Sequence, residues 1–132
     1  AAQIENLEVK FDKILLDMPC SGLGVLRKKP EKIYELTSND IKTLKKLQKK
    51  IFESAYKCLK NGGEIVYSTC TFSKNENTNN IRYFLKKYED LEILDLEIPE
   101  KVEIIKDELG GAYISYKNKY MDGFYIAKLR KN

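Results

Sequence analysis

Apolar and polar positions alternate in two rhythms along this chain. Phe11 to Asp17 reads FDKILLD, a short apolar run closed by an acid, and the turn-rich MPCSGLG follows it. This pattern predicts a buried strand running into a loop. Ile41, Leu44, Leu47, Ile51, Ala55 and Leu59 then recur at helical spacing, with Lys42, Lys45, Lys46, Lys49 and Lys50 between them. They predict an amphipathic helix of about five turns. Thr37-x-x-Asp40 opens it in capping-box style, and Asn61-Gly62-Gly63 is expected to stop it. The β-branched and aromatic EIVYSTC predicts a second buried strand. Ser73-Lys74-Asn75-Glu76 has the form of a full capping box, and Ile81, Phe84, Leu85 and Tyr88 mark a second helix behind it. LEILDLEI, from Leu91 to Ile98, alternates as a strand does. The tail YISYKNKYMDGFYIAKLRK predicts two strands joined by a turn near Asp122-Gly123.

Strand and helix thus alternate, which predicts an α/β layer with a mostly parallel sheet and antiparallel pairing at its end. At 132 residues the chain suits one domain or part of one, with no internal repeat and no low-complexity stretch. Hydrophobic residues at 42% and charged residues at 33% describe a core-forming chain. No apolar run approaches the roughly 18 residues that span a bilayer, so no membrane partner is expected. AAQIENLEVKFDK resembles neither a signal nor a transit peptide, and without an initiator Met it suggests a trimmed or excised piece. The net charge of +4, carried mostly by lysine, is compatible with a nucleic-acid partner and equally with a solvated surface.

Histidine is absent, which removes the histidine general base, Ser-His-Asp and Cys-His pairs, and imidazole metal sites. The cysteines at 20, 58 and 70 form no C-x-x-C pair, so no metal site is expected. Their odd number fits a reducing cytoplasm. Cys58 belongs to the helix and is assigned to packing. Cys20 and Cys70 each stand just beyond a predicted strand, where open α/β sheets bind their ligands. Neighbouring parallel strands would bring both thiols to one crevice. Either could equally be a small buried hydrophobe. The helix predicted after Ser73 would favour an anionic sulfur at Cys70. Asp17 can accept a hydrogen bond from an amine or can cap its loop. Pro19 fixes the loop, and its carbonyl can receive an exocyclic amine. Arg27, Lys28, Lys29 and Lys32 can meet phosphates or stay solvated. Glu76 reads as a helix cap, and Asp122-Gly123 as a turn.

LLDMPCSGLG resembles the D-x-P-C-S-G motif, and YSTCTFSKNEN the T-C-[ST] motif, of the Sun/Nop2 group of RNA cytosine-5 methyltransferases. The bacterial rRNA small-subunit methyltransferase B branch is the nearest in pattern. The resemblance continues through RKKPE, Leu47-Gln48, LKNGGEIVYSTCT and the closing DGFYIAKL, although the tail lacks the proline that relatives place before DGF. It implies a Rossmann-like fold, S-adenosylmethionine as cofactor and RNA, 16S rRNA in particular, as substrate. It also implies that residues 1–132 are the C-terminal half of a catalytic domain, since the family's Gly-rich cofactor loop has no counterpart here. Such a half would be inactive alone and would self-associate through an unpaired strand edge. In this family Cys70 corresponds to the thiol that attacks carbon 6 of cytosine, Cys20 to the one that assists product release, and Asp17 to the acid at the cofactor and base. Two other readings stay open: Cys20 as the nucleophile, as in DNA cytosine-5 methyltransferases, and a non-catalytic module that binds RNA or protein.

Overall fold

The structure, a computed structural model, describes residues 8–21, 38–114 and 123–132. Arg27 and Lys28 and the turn at Asp122 lie outside the described residues. Among the described residues six strands and two helices follow one another. They are β1 (Phe11–Asp17), α1 (Ser38–Lys57), β2 (Leu59–Thr69), α2 (Thr78–Lys87), β3 (Leu91–Leu94), β4 (Ile104–Lys106), β5 (Ala112–Ile114) and β6 (Phe124–Lys131).

β1 and β2 pair in parallel across the α1 crossover. β6 is antiparallel both to β2 and to β3, so β2 and β3 run the same way with β6 slotted between them. The expected antiparallel C-terminal strand is therefore present, and the sheet is mixed, with β1 and β2 its parallel pair among the described residues. β5 continues the sheet along the first half of β6, and β4 closes it as a hairpin partner of β5. β4 escaped the sequence pattern because three residues are too few to show a period.

Alternation along β2 and β6 decides which face is covered. Ile65, Tyr67 and Thr69 on β2, and Tyr125, Ala127 and Leu129 on β6, are buried, while their neighbours Val66, Ile126 and Lys128 are only half-buried. α1 and α2 lie on the buried face. Phe52 of α1 stacks on Phe84 of α2 with ring centroids 3.8 Å apart, and Tyr67 meets Phe84 edge-on at 6.1 Å. Such aromatic pairs contribute about 0.5–1.5 kcal/mol each beyond the area they bury. The helix stripe differs from the predicted one by one position. Leu47 is 41% exposed, and Gln48 takes its place in the core at 0%.

Two end signals differ from their predicted roles. The helix stops at Lys57, and Asn61-Gly62-Gly63 lies within β2. There Gly62 adopts φ +84, and the register of β1 against β2 shifts between Phe11 and Lys13. Only a residue without Cβ takes that backbone readily. α2 begins at Thr78 rather than after Ser73, with Asn77 at its N-cap and no side-chain cap.

The core is rich in tyrosine, which sets the alkaline limit of stability. Tyr67 is raised well above the ordinary phenol range, chiefly by burial, and Tyr125 by burial and its bond to Asp107. Tyr56 is pushed up to about 12, by burial first and then by its hydrogen bond to Asp90. Unfolded tyrosines ionise near about 10. Their contribution is therefore intact below that pH and is lost as pH rises through the folded values. Urea midpoints should hold to about pH 9.5 and fall steadily from pH 10 to 12, with less fall in Tyr56→Phe. A midpoint constant up to pH 12 contradicts this.

Candidate active site

Asp17 ends β1 and Thr69 ends β2, and the loops beyond them leave the same edge of the sheet. Met18 donates its N–H to Ser68 O at 2.9 Å, which extends the pairing into the first loop. Cys20 and Cys70 therefore meet. The Cys70 N–H donates to Cys20 Sγ at 3.2 Å, both residues are partly exposed, and neither forms a disulfide. An N–H aimed at a sulfur favours negative charge there. Cys58 is buried at 3% in the helix end.

Asp17 is exposed, and among the described residues its one hydrogen bond is a long one, from Ser68 Oγ at 3.4 Å. Pro19 is exposed too, but its carbonyl already accepts Gln48 Nε2 at 2.9 Å, which leaves one lone pair. The helix expected to begin just after Ser73 starts at Thr78, and its N-cap Asn77 is tied by side-chain hydrogen bonds to Thr69 and Thr71 on either side of Cys70.

Beneath the cysteines lies a polar network that periodicity did not reveal. Glu76 is fully buried and does not cap a helix. Its Oε1 accepts the Ser21 N–H at 2.8 Å and Gln48 Nε2 at 3.2 Å, and its Oε2 accepts the Ser21 hydroxyl at 2.7 Å. Ser21 Oγ is also 2.9 Å from Thr71 Oγ1, which in turn accepts the Ser73 N–H at 3.1 Å. The Glu76 carbonyl takes the Tyr67 hydroxyl at 2.5 Å and Asn80 Nδ2 at 3.1 Å. Asn80 Nδ2 lies 2.8 Å from Gln48 Oε1. Asn77 links to Thr69 Oγ1 at 2.6 Å and to Thr71 O at 2.8 Å. The loops after β1 and β2 are thus held together from below, and the thiols lie on top. No signal along the chain pointed to this network, because the sequence stripe of α1 ran through Leu47 and left Gln48 beside it.

A sequence model of the 16S rRNA methyltransferase RsmB/F family matches residues 1–130. The ribosomal RNA small subunit methyltransferase F of Shewanella piezotolerans is 38% identical over 124 residues, which are 92% of this chain and 26% of that protein. The probable ribosomal RNA small subunit methyltransferase B of Bacillus subtilis is 38% identical over 126 residues, covering 92% of this chain and 28% of that protein. The chain thus spans about a quarter of the length of these curated relatives. Among solved structures, NSun6 from Pyrococcus horikoshii with SFG superimposes with a TM-score of 0.81 at 33% identity, covering 98% of this chain and 32% of that one. A methyltransferase homolog protein from the same organism gives a TM-score of 0.80 at 33% identity, over 99% of this chain and 42% of that one. The α/β layer is accordingly a Rossmann-like methyltransferase sheet. Motifs and topology agree with the sequence match, and the chain belongs to the 16S rRNA methyltransferase RsmB/F family.

Proposed function

We propose that this chain is the C-terminal part of a catalytic domain that methylates carbon 5 of cytosine in small-subunit rRNA in the cytoplasm. The observation that carries the reading is the meeting of two partly exposed cysteines at the ends of adjacent parallel strands, with the Cys70 N–H on Cys20 Sγ. The family match supports RNA methylation, and the neighbour solved with SFG, an analogue of S-adenosylmethionine, supports that cofactor. Asp17 fits it by the chemistry of its acceptors: an exposed carboxylate at a strand's carboxyl end can receive a cofactor or cytosine amine. When bound, S-adenosylmethionine supplies an electrophilic methyl group.

Cytosine carbon 5 is a poor nucleophile until a thiolate adds at carbon 6. The Cys70 sulfur forms that bond, and the electron pair of the 5,6 double bond is freed to carbon 5, which would take the methyl group as its bond to the cofactor sulfur breaks and a neutral thioether leaves. Carbon 5 then loses its proton to a base, the Cys20 thiolate in this reading, the double bond returns, and the Cys70 thiolate leaves. Cys20, beside it, assists this elimination. The target base must be unstacked to reach the thiol, so single-stranded or looped RNA is the substrate form. Arg27 and Lys28 are proposed to meet its phosphates, and Pro19 O its exocyclic amine. One observation favours the alternative with Cys20 as nucleophile: the N–H that supports negative charge points at Cys20.

Among the described residues no strand pairs with the outer edge of β1. Leu15 is 73% exposed, and Phe11, Lys13, Ile14 and Leu15 line a shallow cavity of about 250 Å³. An uncovered strand of this kind pairs with another chain. Transfer of tritiated methyl groups from S-adenosylmethionine to 16S rRNA should be undetectable with residues 1–132 alone, and the chain should sediment as more than a monomer. Full transfer by the isolated chain, or a clean monomer, would overturn the assignment as a partial domain.

A further inference from the structure

Each cysteine is followed by a residue of the buried network. Ser21 follows Cys20 and gives both its N–H and its hydroxyl to Glu76, while Pro19, before Cys20, is held by Gln48. Thr71 follows Cys70 and faces Ser21 Oγ. Three donors converge on the Glu76 carboxylate, from the Ser21 N–H, the Ser21 hydroxyl and the Gln48 amide, and among the described residues no lysine or arginine forms an ion pair with it. Burying a carboxylate without a cation is costly, and neutral groups hold loops at less expense. A glutamine offers one acceptor oxygen in place of two, so to face its NH2 the Ser21 hydroxyl would have to turn its proton from residue 76 to Thr71 Oγ1. Glu76 has no exposed surface, so it touches neither solvent nor substrate.

We infer that Glu76 is a positioning residue for the cysteine pair, acting through Ser21 to keep Cys20 Sγ on the Cys70 N–H. The inference rests on the proposed roles of the two thiols and adds a residue to them. With the alignment lost, Cys20 is displaced from the thiol whose elimination it assists. Formation of the RNA adduct should then survive while its resolution slows.

Amide hydrogen exchange on the intact methyltransferase tests the clamp without any activity. The Cys70 amide should exchange about tenfold faster or more in Cys20→Ala, and equally so in Glu76→Gln and Ser21→Ala. The amides of Ile65 and Tyr67 in β2 should keep their protection. A merely structural Glu76 would release all of these amides together. If Glu76→Gln does not fold, Ser21→Ala, which leaves the carboxylate in place, carries the test alone. In the intact methyltransferase, Glu76→Gln should accumulate the covalent RNA adduct and lower kcat by about tenfold or more with KM for RNA unchanged, and adding Ser21→Ala should change little further. An unchanged Cys70 amide in folded Glu76→Gln overturns the clamp. Adduct that persists in Cys70→Ser overturns the catalytic reading instead and leaves the exchange result standing.

Discussion

Replacing Cys70 by Ser in the intact methyltransferase should abolish the covalent RNA adduct and lower methyl transfer at least a thousandfold, an order of magnitude drawn from nucleophile deletions elsewhere. Cys20→Ser should do the opposite to the adduct, which should accumulate as a species that survives denaturing electrophoresis. The contrast follows from position. Cys70 follows the last residue of β2 and is partly exposed, and Cys20 lies beside it with its sulfur on the Cys70 N–H. A hydroxyl at position 70 cannot attack, because serine is a far weaker nucleophile without a base, and the chain has no histidine to supply one. A hydroxyl at position 20 leaves the attack intact and removes only the assistance to elimination. The pair of variants also separates the two assignments of the nucleophile. If Cys20→Ser loses the adduct and Cys70→Ser keeps it, Cys20 attacks, and the N–H at its sulfur is then an activating contact. The phenotype should be read at matched folding, since both residues border the network of Ser21, Thr71 and Glu76.

How much of this was readable from the residues depends on the length of the signal. FDKILLD and the run of lysines with aliphatics at helical spacing named β1 and α1 because each signal covers its whole element, but β1, expected to be buried, buries only Leu16. The order of elements then implied that Cys20 and Cys70 share one crevice, and two neighbouring strand ends in parallel register brought them there. The errors have a common cause. Ser73 to Glu76 carries the residues of a capping box, yet the Glu76 side chain points into the core toward Ser21, 55 positions earlier in the chain. No local pattern contains that partner. The run Glu76, Asn77, Thr78 and Asn80 is polar and buried, so hydropathy assigns it to the surface while long-range hydrogen bonds keep it inside. Gln48 follows the same rule. The sequence stripe of α1 chose Leu47, and the glutamine took the core position because Pro19 O and Glu76 lie opposite it.

Gly111→Ala should destabilise the chain by about 3 kcal/mol, the largest stability effect expected of any single methyl group here. Gly111 is packed beneath the Tyr125 ring, and a Cβ on it would overlap the Tyr125 hydroxyl and come within 2.7 Å of its Cζ and 3.0 Å of Asp107 Oδ2. Neither neighbour can yield cheaply. Asp107 Oδ1 accepts the N–H groups of Leu109, Gly110 and Gly111 at 2.9, 2.9 and 2.8 Å, and its Oδ2 accepts the hydroxyls of Tyr125 and Thr78 at 2.8 and 2.9 Å. Tyr125 is itself wholly buried, with Tyr67 edge-on at 6.4 Å and Tyr113 at 4.7 Å. Gly62→Ala is the control. It has open space around its Cβ and loses only the left-handed backbone at φ +84, a cost of about 1 kcal/mol. Urea unfolding of the two variants should rank them in that order, and equal losses would show that backbone conformation rather than overlap governs both. Adding Tyr125→Phe to Gly111→Ala removes the clashing oxygen, so the double variant should be more stable than the sum of the single losses by at least about 0.5 kcal/mol. Tyr125 pairs with Thr69, the residue before Cys70. A ring pushed aside by the added methyl group therefore presses on the strand end that carries the thiol. Methyl transfer by the intact enzyme should fall with Gly111→Ala at temperatures where it remains folded, and should not fall with Gly62→Ala.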